Sequence, residues 1–290
     1  MSGACTGSVD TGFVGLGYGE VAFLGLVQGI TELLPISSTA HMRIVPALLG
    51  WRDPGSAFSA AMQLAALIAV VTYFRKDVSE LSAGSVRAVL RRDFQSRDLK
   101  LSLWIMLATL PLVIAGVALA PVLNACPSPL RSLNIVALAC ILMAALLACA
   151  ELLASHRRTL EQVRFFDAIV VGLAQVGALI PGVSRSGSTL TAALWLGLKR
   201  EEAARFSFLL GLPAITLAGV RELWELHHAH LPPHGWAILA VGLIVASVSA
   251  YLAIWALMKI LERVSAWPFV IYRGALGALI LLLVASGRIA

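Results

Sequence analysis

Long apolar stretches, each close to the length of a membrane-spanning helix, constrain the fold of this chain more than any other feature. A transmembrane helix needs about 20 consecutive, mostly apolar residues. Six stretches meet or approach this length, at residues about 58–74, 101–123, 131–153, 206–222, 236–258 and 268–286. Only 13% of the residues are charged, against about 25% in soluble domains. The sequence therefore predicts an all-α integral membrane protein with six transmembrane helices, in which residues 1–290 form a single polytopic membrane domain.

Two further apolar regions are broken near their middle and are not typical of simple spans. Residues about 13–50 are interrupted by ELLPISSTAHMR, and residues about 166–198 are interrupted by PGVSRSGST. In both regions a proline and small polar residues end the helical pattern after about 15 residues. We expect each region to be a re-entrant helical hairpin whose broken backbone is buried in protein or lines a cavity.

Clusters of basic residues between the apolar stretches indicate how the spans are oriented. The largest cluster lies in a polar loop at 75–100, and smaller ones lie at 154–164 and 199–205. Placing these clusters in the cytoplasm follows the positive-inside rule and leaves the uncharged linker 124–129 outside. The second hairpin then enters from the cytoplasm, and the first enters from the opposite face. Because the basic residues form no face on a soluble surface, a nucleic-acid-binding protein is excluded.

The two hairpins also share a sequence pattern. GLVQ at 25–28 matches GLAQ at 172–175, and the proline and hydroxyl residues that follow keep a similar spacing. With opposite entry sides, this duplication predicts an inverted-topology repeat with halves at about 13–123 and 131–286. In proteins built this way, the functional site lies near the bilayer midplane, where the broken helices meet.

The few ionisable residues at membrane depth lie at these breaks. Glu32 and His41 belong to the first hairpin, and Arg185 belongs to the second. A charge at this depth costs at least about 2.5–3.5 kcal/mol on insertion scales, which makes each of them a candidate functional residue. Arg185 beside helix N-termini and hydroxyl groups suits phosphate binding. An acid and a base on the opposite break suit phosphate hydrolysis.

Structural roles remain open for the same residues. Glu32 could serve only as the partner of Arg185 in a buried ion pair, and the histidine could be a satisfied core residue. Gln28 lies one helical turn before the glutamate and could make a hydrogen bond between helices or contact substrate. Ser184 and Ser186 could bond back to carbonyl groups, as hydroxyl side chains often do in membrane helices.

Two long motifs, QGITELLPISSTAH at 28–41 and PGVSRSGST at 181–189, occur once each. They resemble the signatures of the undecaprenyl-diphosphatase family, the bacitracin-resistance type of membrane phosphatase. The first signature is a Glu- or Gln-x-x-x-Glu pair followed by P-x-S-S-T-x-H, and the second is P-G-x-S-R-S-G-x-T. The likeness continues through FSFLL (206–210) and PFVIYR (268–273), so it covers nearly the whole chain.

The resemblance implies hydrolysis of a C55 polyprenyl diphosphate to the lipid monophosphate and phosphate. This reaction recycles the lipid carrier for peptidoglycan synthesis and confers resistance to bacitracin. The resemblance also implies a multi-pass protein of the bacterial inner membrane whose active cleft is open to the periplasm. The expected partners are the polyprenyl diphosphate lipid and the bilayer, with no nucleic acid. A homodimer is possible.

Carried over position by position, the resemblance implies two sets of site residues. The catalytic set is Glu32, Ser38, His41 and Arg185. The diphosphate-binding set is Gln28, Ser37, Thr39, Ser184, Ser186 and Thr189. Glu32 would position a metal ion or the nucleophile. His41 would be the general base or the nucleophile, with Ser38 as the competing nucleophile.

A divalent cation, Mg²⁺ or Ca²⁺, is implied by the same resemblance, with Glu32 as its candidate ligand. The first residue of the acidic pair is Gln28 here, so a scheme with two carboxylates on one metal is placed in doubt. The main alternative function is a secondary transporter or polyprenyl-phosphate flippase, because inverted repeats with broken helices are typical of transporters. A structural or sensor membrane protein would explain the spans but not the charged breaks.

Overall fold

Helices make up nearly all of the secondary structure in the computed structural model of the protein, which describes residues 11–119 and 132–289. Eleven α-helices lie within these ranges: α1 (Tyr18–Leu33), α2 (Ser38–Leu49), α3 (Ser56–Tyr73), α4 (Arg75–Leu90), α5 (Arg97–Ala118), α6 (Leu133–Leu153), α7 (Phe165–Val176), α8 (Arg185–Trp195), α9 (Arg200–His228), α10 (Pro233–Arg263) and α11 (Trp267–Ala285). Neither described range contains a β-strand, so the predicted all-α class is confirmed.

Five of these helices are long and apolar enough to cross a bilayer, namely α5, α6, α9, α10 and α11. A sixth span is counted when α3 is taken together with α4, from which it is bent by 80°. The prediction of about six spans is therefore confirmed in number, with five to six helices that could cross a membrane. The helices α9 and α10 have 29 and 31 residues, longer than predicted because their polar ends continue the helix. The end of the span predicted at 101–123 and the linker 124–129 lie outside the described residues.

The polar stretch 75–100 is largely helical, so its interpretation as a loop is wrong. It contains α4 and the first turn of α5. Gly84 and Ala88 of α4 are buried, and Ser85 Oγ donates a hydrogen bond to the Asp98 carbonyl oxygen at 3.2 Å. A helix forms here because one face of small residues packs against α5 while the charged residues stay exposed.

The pairs α1–α2 and α7–α8 are two helix–break–helix units, and matching positions in them have the same local structure. Ser37 and Ser184 are the N-caps of α2 and α8, with φ angles of 72° and 69°. Each Oγ accepts a hydrogen bond from the backbone N–H three residues later. Glu20 and Asp167 each accept one from the backbone N–H three residues earlier, at the start of α1 and α7. Ser37 and Ser184 are 147 residues apart, as are Glu20 and Asp167, so the sequence repeat extends to local structure.

In each unit, the segment that follows the second helix is hydrogen-bonded to the segment that precedes the first helix. The Phe13 N–H donates to the Pro54 carbonyl oxygen at 3.0 Å, which joins the segments before and after the first unit. The Lys199 N–H donates to the Arg158 carbonyl oxygen at 2.8 Å, which does the same for the second unit. Arg158 Nη1 also donates to Asp167 Oδ1 at 3.0 Å, at the start of α7.

The long helix α9 separates the ends of the two units. It begins at Arg200, directly after the bond that closes the second unit. Leu226, in its last turn, belongs to the same buried cluster as Phe13 and Leu16, which precede the first unit. A 29-residue helix is about 43 Å long. The two units therefore start from opposite ends of α9.

Glycines let the first helix of each unit lie directly against a long span. A Cβ at Gly25 would meet the Gly242 carbonyl oxygen of α10 at 2.7 Å. A Cβ at Gly172, the matching position, would meet the Ala108 carbonyl oxygen of α5, also at 2.7 Å. Because only glycine fits at such distances, α1 packs on α10 and α7 packs on α5 at fixed depths. These contacts fix the positions of the two breaks along the long helices α10 and α5.

Candidate active site

The two breaks meet at the carboxylate of Glu32, which is 8% exposed near the end of α1. Its Oε2 accepts hydrogen bonds from Ser38 Oγ at 2.6 Å and from Gln28 Nε2 at 2.9 Å. Its Oε1 accepts a hydrogen bond from Arg185 Nη2 at 3.3 Å, which is a salt bridge between the two units. The Glu32 carboxylate therefore accepts hydrogen bonds from residues of α1, α2 and α8.

Arg185 is the first residue of α8, where the backbone N–H groups of a helix start favour an anion. Gly211 of α9 leaves the space that the guanidinium occupies, because a Cβ there would collide with Arg185 Nη1. A guanidinium has five N–H donors, and one of its nitrogens is directed at Glu32. The group can therefore bind the carboxylate and a phosphate at the same time.

Ser184 and Ser186 connect the breaks and cap a helix. Ser186 Oγ lies 3.2 Å from the carbonyl oxygens of Glu32 and of Leu34, so it links the second break to the first. Ser184 Oγ lies 3.2 Å from Ser186 Oγ and accepts from the Gly187 N–H. The bonds of Ser186 match the structural alternative for this residue, and a direct contact of either serine with a diphosphate stays a prediction.

Three other residues predicted to bind diphosphate have different surroundings. Ser37 is fully buried as the N-cap of α2, and Thr39 is exposed in the first turn of the same helix. Thr189 is fully buried. Its hydroxyl donates to the Arg185 carbonyl oxygen at 2.8 Å and lies 2.5 Å from Ser207 Oγ of α9. The structure therefore directs Thr189 toward α9 and does not bring it or Thr39 to the Glu32 carboxylate.

His41 is held between its own helix and the last helix. Its Nδ1 lies 2.8 Å from the Ser37 carbonyl oxygen, and its Nε2 lies 2.6 Å from Tyr272 Oη of α11. The histidine is 7% exposed, whereas Tyr272 is 45% exposed. Both ring nitrogens are therefore bonded, and the phenol is the outer group of the pair. Tyr272 is a contact that the two long motifs do not predict.

Arg273 holds both breaks from α11. It is fully buried, and its Nη1 donates to the Pro35 carbonyl oxygen at 3.2 Å. Its Nη2 donates to the carbonyl oxygens of Gly182 and Val183 at 2.8 Å and 2.7 Å. Carbonyl groups freed where a helix breaks need donors when they are buried, and Arg273 supplies them on both sides. The signal that could have predicted this role is a charge within an apolar stretch.

Oxygen atoms suited to a divalent cation are present beside the ion pair. Gln28 Oε1 is buried and has no hydrogen-bond partner among the described residues, and Glu32 contributes a carboxylate. Residues 11–119 and 132–289 contain no group of three His, Cys, Asp or Glu side chains that could hold a metal ion. These donors fit Mg²⁺ or Ca²⁺ shared with phosphate oxygens and water, and do not fit a cage made of protein ligands alone.

Comparison with known proteins places these residues within a family. A sequence profile described as bacitracin resistance protein BacA matches residues 21–279. The chain belongs to the BacA family. A protein of Mesorhizobium japonicum named undecaprenyl-diphosphatase 2 is 69% identical over 264 residues, covering 91% of this chain and 100% of the relative. Proteins named undecaprenyl-diphosphatase from Gloeobacter violaceus and Synechococcus elongatus are 53% and 48% identical, covering 94% and 93% of this chain and 93% and 94% of the relatives.

Membership of the BacA family confirms the resemblance inferred from the two motifs. The family assignment and the apolar helices together make this chain a multi-pass membrane protein. The motif segments 28–41 and 181–189 contain the two breaks, and they supply both sides of the contact between Glu32 and Arg185.

Proposed function

We propose that this BacA-family protein hydrolyses undecaprenyl diphosphate to undecaprenyl phosphate and inorganic phosphate. The reaction would return the lipid carrier to peptidoglycan synthesis and confer resistance to bacitracin. The observation that carries the proposal is the contact of Glu32 with Arg185, an acid from one break beside an anion-binding group from the other. The names of the relatives supply the substrate.

Binding of the diphosphate falls to the start of α8. Arg185 offers paired, planar donors, and the first N–H groups of α8 add the positive end of a helix. The bond from Arg185 to Glu32 is 3.3 Å long, longer than the roughly 2.7–2.9 Å of a strong charge-assisted hydrogen bond. A phosphate can therefore compete for the guanidinium.

Ser38 is the nucleophile that the contacts favour. Its O–H donates to Glu32 Oε2 at 2.6 Å, so Glu32 can accept the proton as Ser38 Oγ attacks the terminal phosphorus. The P–O bond to the lipid monophosphate breaks, and that monophosphate leaves. Water then attacks the phosphoserine and gives a proton to His41. Inorganic phosphate leaves as Ser38 Oγ regains its proton from Glu32, and His41 passes its own proton to solvent.

A divalent cation would be held by Gln28 Oε1, by Glu32 and by the substrate phosphates. When bound, Mg²⁺ or Ca²⁺ would neutralise part of the charge on the diphosphate. The buried Gln28 Oε1 without a partner among the described residues supports this assignment. As a neutral ligand, Gln28 would bind the cation more weakly than a carboxylate at the same position.

A candidate site for the prenyl chain is an apolar groove on α1, the helix that ends at the first break. The groove lies between α1 and α10 and has a volume of about 280 Å³. Ile30 and Leu34, which precede and follow Glu32 in sequence, line one side, and Ala253 and Ala256 line the other. An isoprenoid lying there would keep part of its surface in the bilayer and its diphosphate at the breaks.

The site would lie in an inverted-topology repeat of six spans and two re-entrant hairpins, at 13–50 and 166–198. Two observations support this topology. The bonds of Phe13 with Pro54 and of Lys199 with Arg158 close each unit at its level of entry. The length of α9 separates these two levels by about the thickness of a bilayer. The basic clusters would face the cytoplasm, and the family resemblance implies a cleft that opens to the periplasm of the inner membrane.

Phosphate release by the purified protein in detergent tests the proposed function. With undecaprenyl diphosphate and Mg²⁺, we expect one phosphate and one undecaprenyl phosphate for each substrate consumed. Ser38→Ala should lower turnover at least about 10²-fold, whereas Ser79→Ala, which changes an exposed serine of α4, should not. A transporter or flippase needs two compartments and would release no phosphate, which would refute the proposal.

A further inference from the structure

We propose that Tyr272 orients the imidazole of His41 and relays the proton of the attacking water to Nε2 of that ring. The inference rests on the proposed function, in which His41 takes a proton from the attacking water. Tyr272 lies on α11, outside both motif segments, and reaches the histidine through a hydrogen bond between residues 231 positions apart.

The hydrogen bonds of His41 determine its tautomer. A backbone carbonyl oxygen only accepts hydrogen bonds, so Nδ1, which lies 2.8 Å from the Ser37 carbonyl oxygen, carries the proton. In the neutral ring Nε2 then has a lone pair, and the Tyr272 O–H donates to it across 2.6 Å. The two rings are stacked, with planes within 8° of parallel and centroids 5.7 Å apart. Tyr272 therefore binds the one basic nitrogen of the ring.

A phenol suits a histidine that gains and loses a proton. The hydroxyl of Tyr272 can donate to neutral Nε2 and can accept from protonated Nε2–H. Because the Tyr272 O–H occupies the only lone pair of Nε2, the proton of the attacking water reaches His41 through the phenol: water protonates Tyr272 Oη as the Tyr272 proton passes to Nε2, whose new N–H then donates to Tyr272 Oη. A carbonyl oxygen at this place would stabilise only the protonated ring, and a backbone N–H would stabilise only the neutral ring.

The next residue fixes the position of Tyr272 relative to both breaks. Arg273 is fully buried and is bonded to Pro35 in the first break and to Gly182 in the second. Because neighbouring residues of a helix share one rigid backbone, these bonds also fix the point at which the Tyr272 side chain leaves α11. The helix α11 thus carries one residue that holds the breaks and one that orients the histidine.

Tyr272→Phe removes the hydroxyl and keeps the ring. We expect kcat for phosphate release to fall about 10-fold to 100-fold, the usual effect of losing a group that orients a functional histidine. KM should fall together with kcat and leave kcat/KM nearly unchanged, because His41 acts only on the hydrolysis of the phosphoserine and not on the step that forms it. Tyr251→Phe is the matched control: Tyr251 is 42% exposed on α10 and contacts Tyr73, so this variant should keep full activity.

A double variant shows whether Tyr272 acts through His41. In a His41→Ala background, Tyr272→Phe should cause no further loss of turnover, because the residue that it orients is already absent. An independent, additive loss in the double variant would overturn the inference.

Nitrogen-15 NMR of protein labelled at histidine gives a readout that does not depend on activity. The His41 signals, assigned by their absence in His41→Ala, should show a protonated Nδ1 and a hydrogen-bonded, unprotonated Nε2. Tyr272→Phe should shift the Nε2 signal, and Tyr251→Phe should not. An unchanged Nε2 signal in Tyr272→Phe would overturn the inference. If the signal shifts but the wild-type protein releases no phosphate, the proposed function fails while the contact that positions His41 stands.

Discussion

Gln28 and Glu32 lie one helical turn apart on α1, and their contacts indicate different tasks. Glu32 receives hydrogen bonds from Ser38, Gln28 and Arg185, which suits a residue that orients and deprotonates a nucleophile. Gln28 Oε1 is buried and has no partner among the described residues, which suits a ligand for a hard cation. The metal role that the family resemblance implies for Glu32 is therefore proposed to be shared with Gln28.

Substitutions of Gln28 should change the metal dependence of phosphate release in opposite directions. Gln28→Glu adds a charged ligand, so the Mg²⁺ concentration for half-maximal activity should fall about 10-fold. Gln28→Leu removes the ligand oxygen, so that concentration should rise and added Mg²⁺ should restore turnover. Titrations of activity with Mg²⁺ and Ca²⁺ measure both effects.

The matched control for these variants is Gln175→Leu. Gln175 is the repeat equivalent of Gln28 and is fully buried, and its Nε2 donates to the Ala108 carbonyl oxygen at 3.5 Å. Its Oε1 also has no partner among the described residues, but Leu179 stands where the first unit has the carboxylate of Glu32. Its substitution should leave the metal titration unchanged. Curves for Gln28→Glu and Gln28→Leu that both coincide with the wild-type curve would contradict the assignment of Gln28 as a ligand.

Arg273→Met should destabilise the protein and lower its turnover. The substitution removes the guanidinium donors from the carbonyl oxygens of Pro35, Gly182 and Val183, and Gly182 keeps only a weak donor, Cys140 Sγ at 3.6 Å. A buried unsatisfied group costs about 1–3 kcal/mol, so we expect the free energy of unfolding to fall by at least about 2 kcal/mol. Thermal unfolding in detergent measures the change as a lower Tm. Arg288→Met, at an exposed position, is the control, and equal Tm values for the two variants would exclude this role of Arg273.

The residues of the site differ in how far the sequence predicts them. Glu32 and Arg185 are predictable because a charge at membrane depth is costly and rare, and the structure brings them together. Arg273 is recognisable as such a charge, but its partners are backbone carbonyl groups up to 238 positions away, which no local pattern shows. The contact of His41 with Tyr272 depends on how α11 is rotated against α2, and periodicity does not determine that rotation.

At the scale of elements, an apolar groove runs between α1 and α10. Its lining is almost entirely apolar, with Leu26 and Ile30 from α1 facing Leu252 and Ala256 from α10. An apolar groove on the helix that ends at the charged site suits a substrate with a polar head and a long hydrocarbon chain.

Ala256→Trp should fill the groove and select against long chains. We expect KM for undecaprenyl diphosphate to rise about 10-fold, from the loss of burial of several CH₂ or CH₃ groups. KM for a C15 diphosphate, whose chain needs less of the groove, should change little. Ala240→Trp, at an exposed position of α10 outside the groove, is the control. Equal effects of Ala256→Trp on both substrates would show that the chain lies elsewhere.

The elements themselves are mostly predictable, and the exceptions have physical causes. The breaks are predictable from proline and serine, and the structure shows Ser37 and Ser184 as N-caps with left-handed backbone. The helix α4 is missed because charge dominates its composition, although Gly84 and Ala88 lie four residues apart on its buried face. The polar ends of α9 are not predicted because the apolar pattern ends at the first charged residues, whereas the backbone hydrogen bonds of the helix continue beyond them.

At the scale of the molecule, the two units start from opposite ends of α9 and contact each other between them. A helix bundle that buries two broken segments must supply donors and acceptors at membrane depth. Arg273, Ser186 and the two N-capping serines supply them here. The same polar groups that satisfy the breaks also assemble the proposed catalytic cluster.

The membrane orientation predicts the sides from which single cysteines can be labelled. In a background without the four native cysteines, the His234→Cys variant should react with an impermeant thiol reagent in intact cells. The Arg92→Cys variant should react only after lysis, because α4 and the turn after it carry the basic residues that are proposed to face the cytoplasm. Both positions are exposed. Labelling of both from the same side would contradict the opposite entry of the two units.

The most direct test of the central claim, that residues from both breaks form one hydrolytic site, is phosphate release by Arg185→Lys. Lysine keeps the charge, so a purely structural ion pair with Glu32 can survive, but the planar, two-pronged donor is lost. We expect turnover of undecaprenyl diphosphate to fall by at least about 10²-fold. Arg221→Lys, at an exposed ion pair on α9, should keep wild-type turnover. Full turnover by Arg185→Lys would contradict the account and leave the contact between the breaks a structural one.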